Sequence, residues 1–134
     1  MKRFIPTAVH GILDYMTGLF VSTWPLYMKG VQKEQDITDK KLHPEQIIPI
    51  SMGAMAGVYS LLTRYELGAV KAIPMKIHLA ADAVSGVFMA AAPWLFGFYK
   101  KTWVPFVALG VFEVSAALFT KLEPVKVHLS APTE

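Results

Sequence analysis

The chain has 134 residues, 54% of them apolar and 17% charged, with a net charge of +3 and no cysteine. This composition is typical of a membrane protein rather than of a soluble core, and it excludes disulfides, thiolate metal sites and cysteine nucleophiles. The cations flank the apolar runs and form no basic stripe with interleaved aromatic residues. The lipid bilayer is therefore an expected partner and nucleic acid is not.

Four apolar runs follow one another along the chain, at 4–28, 47–62, 75–98 and 103–118. A helix needs about 20 residues to cross the hydrocarbon core, and the shorter runs can borrow flanking residues. The apolar positions show no period-2 alternation, and backbone in lipid must be hydrogen-bonded internally, so helices are favoured over strands. The sequence predicts an all-α membrane protein, a four-transmembrane-helix bundle forming a single transmembrane domain over 1–134. A polar loop (29–46) and a C-terminal tail (124–134) lie outside the bundle.

The second half of the chain repeats the first. His10 and Gly18 recur 68 positions later as His78 and Gly86, and the following helices match at an offset of 57. Each copy is then a helical hairpin, repeat one over 4–66 and repeat two over 72–123. An even number of crossings per repeat makes the two copies parallel, related by a pseudo-twofold axis along the membrane normal.

Charges and aromatic residues orient the bundle. Lysine and arginine slightly favour the side that holds the N-terminus, the middle loop and the tail, which predicts that both termini are cytoplasmic. The first helix is expected to be retained, because His10 and Asp14 interrupt it and no small-x-small cleavage site follows. Residues expected to anchor the opposite interface, as kinking prolines or headgroup-level rings, are Trp24, Pro25, Pro93, Trp94 and Trp103.

A short element near the end of the first helix of each repeat resembles a known family. It reads Thr23-Trp24-Pro25 in repeat one and Ala92-Pro93-Trp94 in repeat two. In this respect the chain resembles the SPW-repeat family of small bacterial membrane proteins, although neither copy is the literal Ser-Pro-Trp. The resemblance implies a four-helix, multi-pass protein of the bacterial inner membrane. It implies no activity.

Five titratable side chains fall inside the predicted spans: His10, Asp14, His78, Asp82 and Glu113. Residues four apart share a helical face, so each histidine lies above its aspartate. An aspartate at the centre of a membrane helix costs roughly 2.5–3.5 kcal/mol, so these side chains should face the bundle and each other. Gly18 and Gly86 extend the same stripe, which predicts that the first and third helices pack together across the pseudo-twofold axis.

Three hypotheses for this cluster stay open. It is a hydrogen-bond network that only fixes packing, as in a non-catalytic membrane scaffold or assembly subunit. It handles a proton, an ion or a small polar ligand. Or His10 and His78 ligate a metal or haem. No complete catalytic arrangement can be named, so enzymatic activity is not expected.

The remaining polar and small residues carry weaker expectations. Glu113 has Ala56 as its counterpart in repeat one, and it either completes a site or caps the network. The small-xxx-small pair Gly53 and Gly57 supports either an internal contact or a homo-oligomer. Gly110 repeats Gly53 at the offset of 57. The threonine-cation pairs that end the second helices are interpreted as ordinary interfacial residues: Thr63-Arg64 and Thr120-Lys121.

Overall fold

The structure, a computed structural model, describes residues 2–31 and 42–124, and the side chains of 25–31 are not among the described parts. It contains four helices, which are α1 (Thr7–Val31), α2 (Pro44–Leu61), α3 (Met75–Leu95) and α4 (Val104–Phe119). The described ranges contain no strand, so the all-helical prediction is confirmed. Most of the predicted loop (32–41) and the tail beyond 124 lie outside the described residues.

Two helix boundaries differ from the sequence-based expectation. The first helix runs on to Val31, three residues beyond the predicted run of 4–28 and six beyond Pro25, so the helix does not end at that proline. A proline removes one helical hydrogen bond but does not prevent the next turns from forming. The second helix begins at Pro44, inside the predicted loop, because proline is favoured in the first helical turn. In α3, by contrast, Pro93 lies two residues before the helix ends.

The helices pack as two hairpins, α1 with α2 and α3 with α4, with a further contact between α2 and α3. Glycines form the close points inside each hairpin. A Cβ on Gly53 would lie 2.5 Å from the carbonyl oxygen of Gly18, and a Cβ on Gly110 would collide with the carbonyl of Gly86. The prediction that Gly18 and Gly86 pack α1 against α3 is therefore wrong. The stripe of small residues faces the hairpin partner, where backbones can approach most closely.

The ends of the hairpins exchange backbone hydrogen bonds in a symmetric way. The amide of Arg64 donates to the carbonyl of Ile73 at 2.8 Å, joining the end of repeat one to the start of repeat two. Lys121 donates to Ile5 at 2.9 Å, joining the end of repeat two to the start of repeat one. These two bonds are equivalent under the repeat offsets of 57 and 68. Each repeat thus closes onto the other.

Buried apolar residues form two clusters that lie on either side of the polar residues. One cluster lies near the end of α3 and the start of α4, and contains Val21, Ile48, Met89, Ala92, Phe98 and Phe106. The other lies at the opposite end of the helices, beside the connection between α2 and α3, and contains Tyr65, Met75, Leu79 and Ala117. Along α3 the polar residues His78 and Asp82 therefore lie between the buried Met75 at one end and Met89 at the other, with Leu79 between them.

Length and composition identify one candidate membrane span among the described residues. Helix α3 is both long and apolar enough to cross a membrane, whereas α4 is apolar but shorter. The core helix of a soluble protein can have the same length and hydropathy. The exposed surface of the molecule is therefore the more direct evidence on whether the helices span a membrane.

The glycine contacts lead to a test with an internal control. Gly110→Ala should lower the free energy of unfolding by about 1–3 kcal/mol, because its Cβ would press on Gly86 and Ala90 in a packed contact. Gly57→Ala should be neutral or stabilising by up to about 1 kcal/mol, because nothing described lies within 4 Å of its Cβ and alanine favours helix. Thermal unfolding of the two variants measures the difference. Equal melting temperatures would contradict the hairpin packing.

Candidate functional site

Four side chains from α1 and α3 meet in the interior. His10 Nε2 lies 3.0 Å from Asp82 Oδ2 and 3.3 Å from Asp14 Oδ1, and His78 Nε2 lies 3.0 Å from Asp14 Oδ2 and 3.2 Å from Asp82 Oδ2. Each histidine thus contacts the aspartate of its own helix and the aspartate of the other repeat. One ligand atom from each residue falls within a group no wider than 4.8 Å. We call these four residues the His/Asp cluster.

A threonine holds the outer nitrogen of each histidine. Thr120 Oγ1 lies 2.9 Å from His10 Nδ1 and donates its own proton to the Ala116 carbonyl at 2.6 Å. Thr63 Oγ1 lies 2.8 Å from His78 Nδ1 and donates to the Tyr59 carbonyl at 2.7 Å. A hydroxyl has only one proton, so each threonine oxygen must accept from the histidine. Both Nδ1 atoms therefore carry a hydrogen, and both Nε2 atoms face the cluster.

Two hydroxyl groups of α2 complete the bonding of the aspartates. The Tyr59 hydroxyl donates to Asp82 Oδ1 at 2.5 Å, and the Ser60 hydroxyl donates to Asp14 Oδ2 at 3.2 Å. The counterparts of these two residues in repeat two are Ala116 and Ala117, which have no hydroxyl. The symmetry of the cluster is therefore broken on the side of α2.

A small cavity adjoins the cluster. Its volume is about 20 Å³, which is room for roughly one water molecule. Its polar lining comprises His10, Asp14, Thr17, Tyr59, Asp82 and Glu113. Glu113 has no direct bond to the cluster among those described; its carboxylate lies 3.2 Å from the hydroxyl of Ser85. Glu113 thus borders the space beside the cluster, where it could complete a site.

The other predicted site residues lie elsewhere. Gly18, Gly53, Gly86 and Gly110 pack inside the hairpins, and Gly57 faces open space. Trp24 packs on the core residue Phe106, with ring centroids 5.7 Å apart. Two of the expected anchors, Trp94 and Trp103, are half-exposed and adjacent, with centroids 6.1 Å apart. Pro93 is buried in α3, and the side chain of Pro25 lies outside the described parts.

Sequence reasoning missed the threonines and the α2 hydroxyls. Thr63 and Thr120 are fully buried, and their interpretation as interfacial residues is wrong. They lie at the helix ends, but the chain turns there to cover the histidines. A signal did exist, because the two threonines repeat at the offset of 57. Tyr59 and Ser60 have alanines as their counterparts in repeat two, so no repeated hydroxyl marked them.

The space around the His/Asp cluster limits which cofactors or ions can bind there. Haem does not fit, because the space described beside the histidines holds only about one water and the rings of His10 and His78 are 5.4 Å apart, centroid to centroid. A single small ion at the centre would contact Nε2 and carboxylate oxygens directly. Imidazole nitrogen and carboxylate oxygen are common metal ligands.

The threonines provide a test of the site geometry. Thr63→Val should cost about 1–3 kcal/mol in unfolding free energy, because it leaves the buried Nδ1–H of His78 without an acceptor. Thr63→Ser keeps the hydroxyl and should cost clearly less. Thermal unfolding of both variants checks this order. A Val variant as stable as the Ser variant would show that the hydrogen bond to His78 does not form.

Comparison of the chain with models of known families, with curated proteins and with solved structures gives no match. The function is therefore argued from the chemistry of the His/Asp cluster and from the surface that surrounds it.

Proposed function

We propose that this protein is a multi-pass membrane protein of four helices whose His/Asp cluster binds a cation between two pseudo-symmetric hairpins. The observation that carries the proposal is the inverted polarity of the molecule. Histidines and an aspartate are buried at its centre, while leucine, valine, isoleucine, phenylalanine and methionine cover the outside. Both termini are assigned to the cytoplasmic side, as the charge distribution favours.

The exposed fractions of individual side chains show that polar residues are buried and apolar residues are exposed. His10 and His78 are each 1% exposed, whereas Val84 is 70% and Leu19 66% exposed. Exposed apolar side chains follow all four helices and are not confined to one patch. Scattered apolar residues are normal on a soluble protein, but apolar surface of this extent points to a lipid or protein environment. A bilayer covers all four helices at once, which makes it the simpler explanation.

Helix lengths are compatible with this environment. At 1.5 Å per residue, α1 and α3 are about 37 and 31 Å long, against a hydrocarbon core of about 30 Å. Helices α2 and α4 are about 27 and 24 Å long and can reach the interfaces through the residues beside them. Shorter spans are accommodated by thinning of the bilayer or by flanking polar residues.

The chemistry of the cluster favours a cation over other ligands. Two carboxylates and two imidazole Nε2 atoms face one point, so the site offers oxygen and nitrogen lone pairs and two negative charges. The two carboxylates must be paired with positive charge or neutralised by protons, because two unpaired carboxylates cannot be buried at acceptable cost. Protons on the histidines or on the carboxyl groups, or one bound cation, would do so. A cavity of about 20 Å³ leaves no room for a larger organic ligand.

A second candidate, a non-catalytic scaffold, is favoured by one specific observation. Every side chain of the His/Asp cluster already has partners within the protein. A network satisfied in this way can fix helix packing without binding anything. The two candidates differ in whether an added ion stabilises the folded protein.

Topology is tested first. Reporter domains fused after Lys41 and after Glu134 should report opposite sides of the membrane, because an odd number of helices separates these points. The full-length protein should also stay in the membrane fraction after alkaline extraction. Reporters on the same side, or release of the protein by alkali, would contradict the four-span proposal.

Cation binding is tested by thermal unfolding in detergent, with a series of monovalent and divalent cations each added singly. A cation that binds only the folded protein raises the melting temperature. At a cation concentration of 100 times Kd, the free energy of unfolding increases by about 2.7 kcal/mol. Asp14→Asn should abolish that shift, whereas Glu123→Gln, the same change at an exposed acid, should keep it. Each variant is compared with its own ion-free sample. No shift with any cation would favour the scaffold.

A further inference from the structure

We infer that His10, Asp14, His78 and Asp82 form a mononuclear site for a divalent transition-metal ion, with one coordination position left for a water. This inference rests on the proposed cation binding and deepens it by naming the class of ion and the residues that hold it. Four observations carry it: the distances between the ligand atoms, the fixed histidine tautomers, the charge of the cluster and the adjoining cavity.

The distances fit one small ion. A tetrahedral site with bonds of about 2.0–2.1 Å has ligand atoms about 3.3–3.4 Å apart. The four nitrogen-to-oxygen contacts in the cluster are 3.0, 3.0, 3.2 and 3.3 Å long, to Oδ2 of Asp82 and to both carboxylate oxygens of Asp14. One ligand atom from each of the four residues lies within 4.8 Å of the others. Small outward movements of the side chains would therefore admit the ion. The four ligand atoms form one compact group, so we assign a single ion.

The threonines prepare the histidines for metal binding. A metal-bound histidine usually donates its other ring N–H to an oxygen acceptor, which fixes the tautomer and the ring orientation. Thr120 and Thr63 provide such acceptors for His10 and His78. Because these threonines donate their own protons to helix carbonyls, they can only accept from the rings. Both Nε2 atoms point at the centre, and a metal ion would displace any proton they carry in order to bind their lone pairs.

Charge and ligand type select the ion. Two neutral imidazoles and two carboxylates balance one divalent cation, whereas a monovalent cation would leave a net negative charge buried at the centre. Imidazole nitrogen suits zinc, iron, nickel and copper, whereas magnesium and calcium prefer sites made of oxygen. A divalent transition metal satisfies both conditions.

The cavity leaves the site open on one side. It is lined by His10, Asp14 and Asp82 and extends towards Tyr59 and Glu113. A closed structural site would be surrounded by protein on all sides, whereas an open one keeps a water as an additional ligand. The space for roughly one water lies next to the ligand atoms. Glu113 could hydrogen-bond to that water, which gives the unsymmetric acid of α4 a position in the site.

Cobalt(II) is the probe, because its visible absorption distinguishes four- and five-coordinate sites from octahedral ones. The full-length protein is purified in detergent without a histidine tag, stripped with a chelator and titrated with Co²⁺ alone. We expect one Co²⁺ per chain with the intense bands of low coordination number. Equimolar Zn²⁺ should displace it, whereas the same concentration of Mg²⁺ should not.

Variants test the assignment of the ligands. His10→Gln with His78→Gln should weaken Co²⁺ binding by more than about 100-fold, beyond the range for loss of outer partners. His128→Gln, the same change outside the described residues, should leave affinity and spectrum unchanged. Thr63→Val with Thr120→Val should weaken binding by about 10–100-fold and keep one ion per chain. Circular dichroism confirms that each variant is helical, and the single histidine variants serve if the double variant does not fold.

The outcomes separate this inference from the proposed function. A folded wild type that binds no Co²⁺ or Zn²⁺, or binds them equally well in the helical histidine variant, overturns the metal site. If another cation then raises the melting temperature through Asp14, the proposed function stands without the transition metal. Stoichiometric Co²⁺ binding by a protein that alkali releases from membranes would instead contradict the membrane assignment and leave the metal site intact.

Discussion

The meeting of two buried histidines, the buried Asp82 and the half-buried Asp14 at one point is the constraint on which the rest of the structure depends. An isolated buried carboxylate is so costly that it must be paired or neutralised. Here the pairing is mutual, since His10 contacts Asp82 and His78 contacts Asp14 across the two repeats. The outer nitrogens are also held by the opposite repeat, with His10 bonded to Thr120. Neither hairpin satisfies its own histidine completely, so the two must assemble.

The duplicated sequence explains why the His/Asp cluster is symmetric and its surroundings are not. The residues that repeat, a histidine, an aspartate and a threonine, build the centre. The residues that do not repeat, Tyr59, Ser60 and Glu113, bond to one side of it or border its cavity. In a perfect repeat, the same side chains would surround the cluster on the α2 side and on the α4 side. The departures from the repeat therefore place the cavity on one side of the cluster.

The sequence predicted the helices and the central residues well, because both are marked by local contrast. A histidine and an aspartate inside an apolar run stand out, and their spacing of four gives a common face. It could not predict the partner of each glycine, since a stripe of small residues shows which face is close-packed but not which helix it meets. The role of Thr63 and Thr120 was hidden for another reason. At a helix end a polar side chain is equally suited to solvent, and only the turn of the chain buries it.

The proposed membrane environment would give the cluster a further role in assembly. Lipid tails are as apolar as leucine, so the hydrophobic effect does not drive helices together there, and packing and hydrogen bonds must do so. Inside each hairpin, the glycine contacts at Gly53 and Gly110 provide close packing. Between the hairpins, the His/Asp cluster joins α1 to α3, a pair that lacks extensive backbone contact. An ion bound to all four side chains would draw on both repeats at once. Structural and ligand-binding roles therefore do not exclude each other in this protein, because whatever supplies positive charge to the cluster also holds the two halves together.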